Sequence, residues 1–401
     1  MKKQNAAERE DKPMVPKTES DSRIRRLQKQ LGEDAIEGAL FVYPIDIYYF
    51  AGTRQNAVLW IPVEGRPTLF VKKSLIRARE ESSLSDIRPY PSSRDFSDFF
   101  DKKISRIGLT FDVLPVQQYQ YYLRLLSCGD FVDLSDINRR MRALKSPWEI
   151  DQMRESGRRL CEMFRQVPTF LRRGMRERDL AAEIEYRFRT KWSEGNLRMR
   201  AFNQEITGLA VAGASAAAAG CFDGPVTGRG LSNASPYGPS EALIQENTPI
   251  LIDYPGVFNG YITDMSRIFA FGKLDPEMSR AFNVSLDIQI WLMDNIRPGA
   301  ICEDLFTEAA AIADSAGLKD NFMGHPGEQA KFVGHGVGLE LDELPVLAQK
   351  FKIPLQEGHT IAIEPKFVFP GRGVVGIENT IAVTHAGCEK LTDLPDNLKC
   401  L

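Results

Sequence analysis

The segment HTIAIEPKFVFPGRGVVGIENTIAV, residues 359–383, carries two glutamates inside runs that are otherwise apolar. Pro370-Gly371-Arg372-Gly373 reads as a turn, and Glu364 and Glu378 each lie seven residues from Gly371. A hairpin centred there sets the two carboxylates opposite one another. Burying one carboxylate without a partner is costly, and burying two like charges side by side costs more. A cation between them removes the conflict, so the chain is restricted to folds that bring a positive centre to this pair.

A second segment behaves in the same way. In LIDYPGVFNGYITDMSRIFAF, residues 251–271, Asn259-Gly260 between apolar runs is a strong hairpin signal. A two-residue turn there sets residue 253 opposite 266 and makes Asp264 the diagonal neighbour of Asp253 on one face. Pro255 marks that strand as an edge or a bulged one. Between the two hairpins lies FVGHGVGLELDELP, where Gly334 and Gly336 flank His335. Small neighbours let the backbone approach a site closely, and the imidazole can supply a nitrogen ligand. Four carboxylates and one histidine form a hard, oxygen-rich set suited to divalent Mn, Fe, Co or Zn. Two ions roughly 3.5–4 Å apart need bridging carboxylates, which four acids can provide.

Composition narrows the remaining possibilities. The 401 residues include 51 basic and 54 acidic side chains, a formal net charge of -3, and are 43% apolar. A nearly balanced charge gives no electrostatic reason for a nucleic-acid or membrane-surface partner. No apolar run approaches the roughly 20 residues of a membrane helix, and the start lacks a signal-peptide core. Six cysteines, Cys128, Cys161, Cys221, Cys302, Cys388 and Cys400, form no C-x-x-C pair and read as reduced thiols of a cytoplasmic protein. Only four histidines are present, His325, His335, His359 and His385.

Residues 1–21 read as a solvated, disordered tail, rich in charge and proline. From 22 to 145, strand-like runs (IEGALFVY, AVLWIPV, PTLFVKK, RIGLTFD, FVDLSD) alternate with helical spacing (SRIRRLQKQLGE, KKSLIRAREESS), which indicates an α/β domain. Ser146-Pro147-Trp148-Glu149 has the form of a capping box and opens a long helix, so a second domain is expected over 146–401. Within it, LRRGMRERDLAAE (171–183) and IRPGAICEDLFTE (296–308) share five identities, each reading as a helix that ends at glycine before another begins. Two pseudo-symmetric halves of paired helices and strands are expected.

These residues together resemble the creatinase, prolidase and methionine aminopeptidase family of the pita-bread fold, in its Xaa-Pro peptidase branch. IYYFAGT at 47–53 and MRALKSPWEI at 141–150 look like the family's N-domain and domain-joining signatures. Asp253 and Asp264 in D-x10-D, His335 in GHGVGLE, Glu364 in IEP and Glu378 in GIEN match all five metal positions. The resemblance implies an α/β creatinase-like N-terminal domain followed by an α+β pita-bread catalytic domain with pseudo-two-fold symmetry. It implies two divalent ions, manganese first and cobalt, zinc or iron as alternatives. Asp253 would hold one ion, His335 and Glu364 the other, with Asp264 and Glu378 bridging and Glu364 moving protons. It also implies a small peptide or amide substrate and a homodimer.

The chain departs from the pattern at three positions. Tyr237, Asp342 and Gly376 stand where such peptidases usually carry His, His and Arg. A phenol can donate a hydrogen bond, whereas an ionised carboxylate cannot and repels anionic groups. Tyr237, Asp342 and His325 are the further catalytic candidates, His325 as a replacement imidazole. Three functions follow: a hydrolase of Xaa-Pro type, a non-peptidase relative acting on a small amidine, ester or sulfonium compound, or a non-catalytic binding module.

Overall fold

The computed structural model describes residues 15–100, 104–126, 130–190, 193–195, 197–200 and 206–401. Cys128 and the first fourteen residues of the expected tail lie outside them. The chain divides into two compact units between Met141 and Arg142, a few residues ahead of the boundary expected at 145.

The first unit alternates helices and strands: α1 (Lys17–Glu33), β1 (Gly38–Phe41), α2 (Pro44–Ala51), β2 (Ala57–Pro62), β3 (Thr68–Val71), α3 (Leu75–Glu81), β4 (Ile87–Pro89), α4 (Ser93–Phe99), β5 (Arg106–Leu109), α5 (Val116–Leu126), β6 (Asp130–Asp133) and α6 (Ser135–Ala143). Its six strands form one mixed sheet in the order β4-β3-β2-β1-β5-β6. Leu40, Val58, Phe70, Phe96 and Ile107 build a core on it. Residues 17–21, expected in the tail, are instead the first turns of α1. Their charge belongs to the outer face of an amphipathic helix whose inner face buries Ser20, Arg23, Ile24, Leu27 and Leu31.

The second unit opens on α7 (Pro147–Phe170), and its capping box is formed: Ser146 Oγ accepts from Glu149 N, and Glu149 accepts from Ser146 N. There follow α8 (Glu177–Thr190), β7 (Leu209–Ala212), α9 (Gly213–Ala216), β8 (Ile250–Asp253), β9 (Gly256–Phe258), β10 (Tyr261–Thr263) and β11 (Met265–Ala270). The remainder comprises α10 (Pro276–Asn295), α11 (Cys302–Ser315), β12 (Phe332–Gly336), β13 (Glu343–Ala348), β14 (Thr360–Ile363), β15 (Lys366–Phe369), β16 (Gly373–Gly376), β17 (Glu378–Thr384), β18 (Gly387–Lys390) and β19 (Lys399–Cys400). In both repeated segments a helix closes shortly before a left-handed glycine, Gly174 (φ 82°) or Gly299 (φ 90°), and the next begins soon after.

A sheet ordered β13-β12-β14-β17-β11-β8-β7 runs through this unit. Alternate residues of β8 and β11 enter different cores. Leu251 and Ile268 pack with residues of α10 and α11, whereas Ile252 and Met265 pack with residues of α7 and α8. Burial on both faces explains why these strands are apolar throughout. Each half of the unit thus contributes a helix pair and a long hairpin, and the two hairpins meet where β11 pairs with β17. No helix among the described residues is long and apolar enough to cross a membrane.

Candidate metal centre

Both hairpins are interrupted at or beside their acids, Asp264 and Glu364 lying in the breaks and Asp253 and Glu378 at the strand ends next to them. In the first, Ser266 pairs with Asp253 and Phe258 with Tyr261, one continuous register around an Asn259-Gly260 turn whose φ values are both positive. The ladder opens at Tyr254-Pro255 on one side and Asp264 on the other. In the second, Ile363 pairs with Asn379 and Lys366 with Gly376, again one register, and the ladder opens between them at Glu364-Pro365. Proline has no N–H to give the ladder, so both breaks fall where the sequence requires them. Asp264 is held at its break by a reciprocal pair: Thr380 Oγ1 accepts from Asp264 N (2.7 Å) and donates to Asp264 O (2.9 Å).

His335 joins these acids from β12, which lies between β13 and β14. A Cβ at Gly336 would lie 2.3 Å from Leu344 O, and one at Gly334 would lie 2.6 Å from Ala362 O, so both flanking glycines are required by the neighbouring backbones. The His335 Nδ1 atom faces acceptors, Leu341 O at 3.1 Å, Gly336 O at 3.2 Å and Asp342 Oδ1 at 3.3 Å. That surrounding assigns the proton to Nδ1 and turns Nε2, 3.6 Å from Glu364 Oε1, toward the acids. Asp264, His335 and Glu378 each bring one ligand atom to within 4.8 Å of the others, all three buried. One divalent ion fits this trio of two hard oxygens and an imidazole.

Asp253 and Glu364 meet a different cation. The Lys366 ammonium lies 2.8 Å from Asp253 Oδ2, 2.7 Å from Glu364 Oε2 and 2.8 Å from Glu378 Oε2, and only 2% of its side chain is exposed. Sequence reasoning missed it. The available signal was an amine inside an otherwise apolar strand, two residues after Glu364 and so on the same face.

Burial and the neighbouring Asp253 push the Asp264 carboxyl up to about 7, against the pull of His335 and Lys366. Burial and Asp264 likewise push Glu378 up. Burial opposes the charged Lys366, but Asp253, Glu364 and Glu378 outweigh it and hold the amine well above its ordinary value. These shifts favour an ammonium at Lys366, and an ion at the trio would displace protons held by Asp264 and Glu378.

The cleft in front of these residues is lined by Tyr237, Phe222, Phe332, Asp223 and Asp342. The Tyr237 and Phe222 rings meet edge-on at 6.1 Å. Asp342, with 54% of its side chain exposed, faces the cleft as well as His335. His325 does not reach the site. The segment folds on itself, Glu328 N donating to His325 O at 2.9 Å, and the imidazole Nδ1 meets Pro326 O instead. The loop carrying Asp342 is held from below by buried ion pairs that sequence reasoning also missed. Arg142 reaches Glu340 (2.7 Å) and Glu343 (2.5 Å), and Lys145 reaches Glu343 (2.9 Å).

Comparison with known proteins gives this site a context. Residues 151–385 match the model of metallopeptidase family M24, and residues 23–144 that of the creatinase/prolidase N-terminal domain. The chain is 26% identical over 375 residues to the Xaa-Pro dipeptidase of Pyrococcus furiosus, covering 92% of this chain and 97% of that protein. It is 25% identical over 393 residues to the Xaa-Pro dipeptidase of Lactobacillus helveticus, covering 94% and 98%. Among solved structures, the Xaa-Pro dipeptidase from Bacillus anthracis superposes with a TM-score of 0.82 at 22% identity, over 95% of this chain and all of that one. The prolidase from Pyrococcus horikoshii gives 0.79 at 22%, over 94% and 99%. These superpositions establish the fold, an α/β N-terminal domain and a pita-bread domain. The first family model spans more than half of the sequence and the second most of what precedes it, so the chain belongs to metallopeptidase family M24 and is an enzyme of that type.

Proposed function

We propose that the protein is a metal-dependent hydrolase of Xaa-Pro peptidase type that cleaves a small peptide or amide. The observation that carries this reading is the convergence of Asp264, His335 and Glu378 beside Glu364 at the floor of a cleft. A divalent ion on the trio, manganese being the first to try before cobalt, zinc or iron, would supply Lewis acidity to the scissile carbonyl and to the attacking water. Glu364 takes the proton of that water and returns it to the leaving nitrogen. Its Oε2 is anchored by Lys366, so the carboxylate keeps one orientation while the proton moves. Tyr237 in the cleft wall offers a phenol to the developing oxyanion, the role an imidazole fills in the resembled peptidases. The resemblance implied two ions; the geometry supports one. A cytoplasmic homodimer completes the reading.

A second reading keeps the metal and changes the substrate. Asp223, Asp342 and the site acids line the cleft, and its lysine is already surrounded by carboxylates. An anionic peptide terminus meets repulsion there, whereas a cationic amidine or sulfonium compound does not. The deciding experiment is metal removal and reconstitution, followed by turnover of Xaa-Pro dipeptides beside cationic amides and esters. Metal-dependent Xaa-Pro cleavage supports the first reading; full cleavage by the metal-free protein overturns it. Turnover of cationic compounds alone supports the second.

A further inference from the structure

We infer that the Lys366 side chain permanently fills one of the two cation positions expected among these acids, so that each chain binds no more than one divalent ion, at Asp264, His335 and Glu378. An ammonium has three donors. Here all three directions are answered by carboxylates at 2.7–2.8 Å, from Asp253, Glu364 and Glu378. Metal–carboxylate bonds are about 2.0–2.2 Å long. An ion coordinated by those same oxygens would stand where the nitrogen stands, so the two exclude one another by contact as well as by charge.

The path of the side chain shows that the arrangement is built into the hairpin. Lys366 is paired directly across the ladder with Gly376. A Cβ at Gly376 would lie 2.7 Å from Lys366 Cγ and 2.6 Å from Pro365 O. The lysine stem therefore crosses the space that any larger residue at 376 would claim. Gly376, the position where the resembled peptidases carry an arginine, and Lys366 form a matched pair, with the positive charge on the opposite strand and aimed into the acids. Withdrawal of the ammonium would leave three carboxylates nearly enclosed and unpaired, a state costlier than either cation.

A fixed ammonium also differs from an ion in what it can do. With its donors engaged it has none left for a substrate, and it cannot polarise a carbonyl by coordination. Four carboxylates against one ammonium and one divalent ion leave the centre with one negative charge, whereas two ions would neutralise it. Lys366 is a positioning residue: it holds Glu364 and Asp253, and it biases the cleft toward cationic or neutral substrates.

The inference deepens the proposed function and rests on it only for the remaining ion, and counting ions separates the two. The full-length protein, stripped of metal, is dialysed against excess manganese and the bound metal is measured per chain. The same is done for Lys366→Ala, which opens the position, and for Lys366→Met, which keeps the stem and removes the charge. One ion is expected in the wild type, two in Lys366→Ala and one in Lys366→Met. Manganese should raise the melting temperature of Lys366→Ala more than that of the wild type, because the extra ion binds only the folded chain. Two ions in the wild type, or equal counts in the wild type and a folded Lys366→Ala, overturn the inference. No ion in the wild type with one in Lys366→Ala upholds it while removing the metal from the proposed function. If Lys366→Ala does not fold, the wild-type count decides: two refutes, one or none upholds.

Discussion

At the residue scale, one ammonium, that of Lys366, holds Asp253, Glu364 and Glu378 at 2.7–2.8 Å. Glu364 lies outside the trio Asp264, His335 and Glu378, so Glu364→Gln should leave the bound ion in place. It should lower kcat by about 10²–10⁴-fold, the range for loss of a general base. Parallel measurement of metal content and turnover checks this, and loss of the ion would reassign Glu364 as a ligand. His359, outside the acid cluster, is held in its neutral form near pH 7. Burial, and then the Lys145 charge, hold its imidazole down to about 4, and Nδ1 accepts from Gln356 N at 3.1 Å. Its folded value is below the ordinary 6.5, so its contribution to stability is complete above pH 6.5 and is lost as pH falls from there through 4. His359→Asn keeps an acceptor without the titration, and its melting temperature should fall less than that of the wild type across this window.

At the scale of elements, the site is made by interrupted hairpins and one tightly flanked strand. The turn glycines and the spacing of the acids make the register legible from sequence. Seven residues either side of Gly371 reach Glu364 and Glu378, and the ladders on both sides of the break keep that register. Strand β12 is less forgiving. At Gly336 an added Cβ meets Leu344 C at 2.4 Å and Glu343 O at 2.6 Å, both backbone atoms that cannot rotate away. Gly336→Ala should therefore push β12 from β13 and shift His335. Weakened manganese binding, read by calorimetry, should exceed what a merely destabilised but intact site would show. The helix α2 escaped sequence reasoning because IYYFAGT, an aromatic and β-branched run, favours strand by propensity, and tertiary burial overrides that preference.

At the scale of the whole catalytic unit, the segment before α7 is tied to the loop after His335 by Arg142, Lys145, Glu340 and Glu343, about 200 residues apart in sequence. Burial would raise the Glu343 carboxyl, but Lys145 and Arg142 hold it down at about 2. Its stabilising contribution is present above the ordinary 4.5 and disappears as pH falls through 2. Glu343→Gln removes the carboxylate that Arg142 and Lys145 share, leaving Arg142 its contact with Glu340, and should cost about 3–5 kcal/mol in stability. Chemical unfolding at pH 7 measures that loss, and acid titration followed by circular dichroism should show a flatter response in the variant between pH 4.5 and 2.

The sequence by itself determined the two-domain order, the hairpin registers and the four acids and one imidazole that converge, because turn chemistry and the spacing of residues about a turn are local rules. It could not decide which cation those acids would meet. That answer depends on a lysine stem crossing above Gly376 and on three carboxylates drawn from β8, the β14–β15 break and β17. Tertiary packing alone likewise removed His325 from the site and moved residues 17–21 from a tail into a helix. Distance across a sheet is not encoded in the neighbours of a single residue.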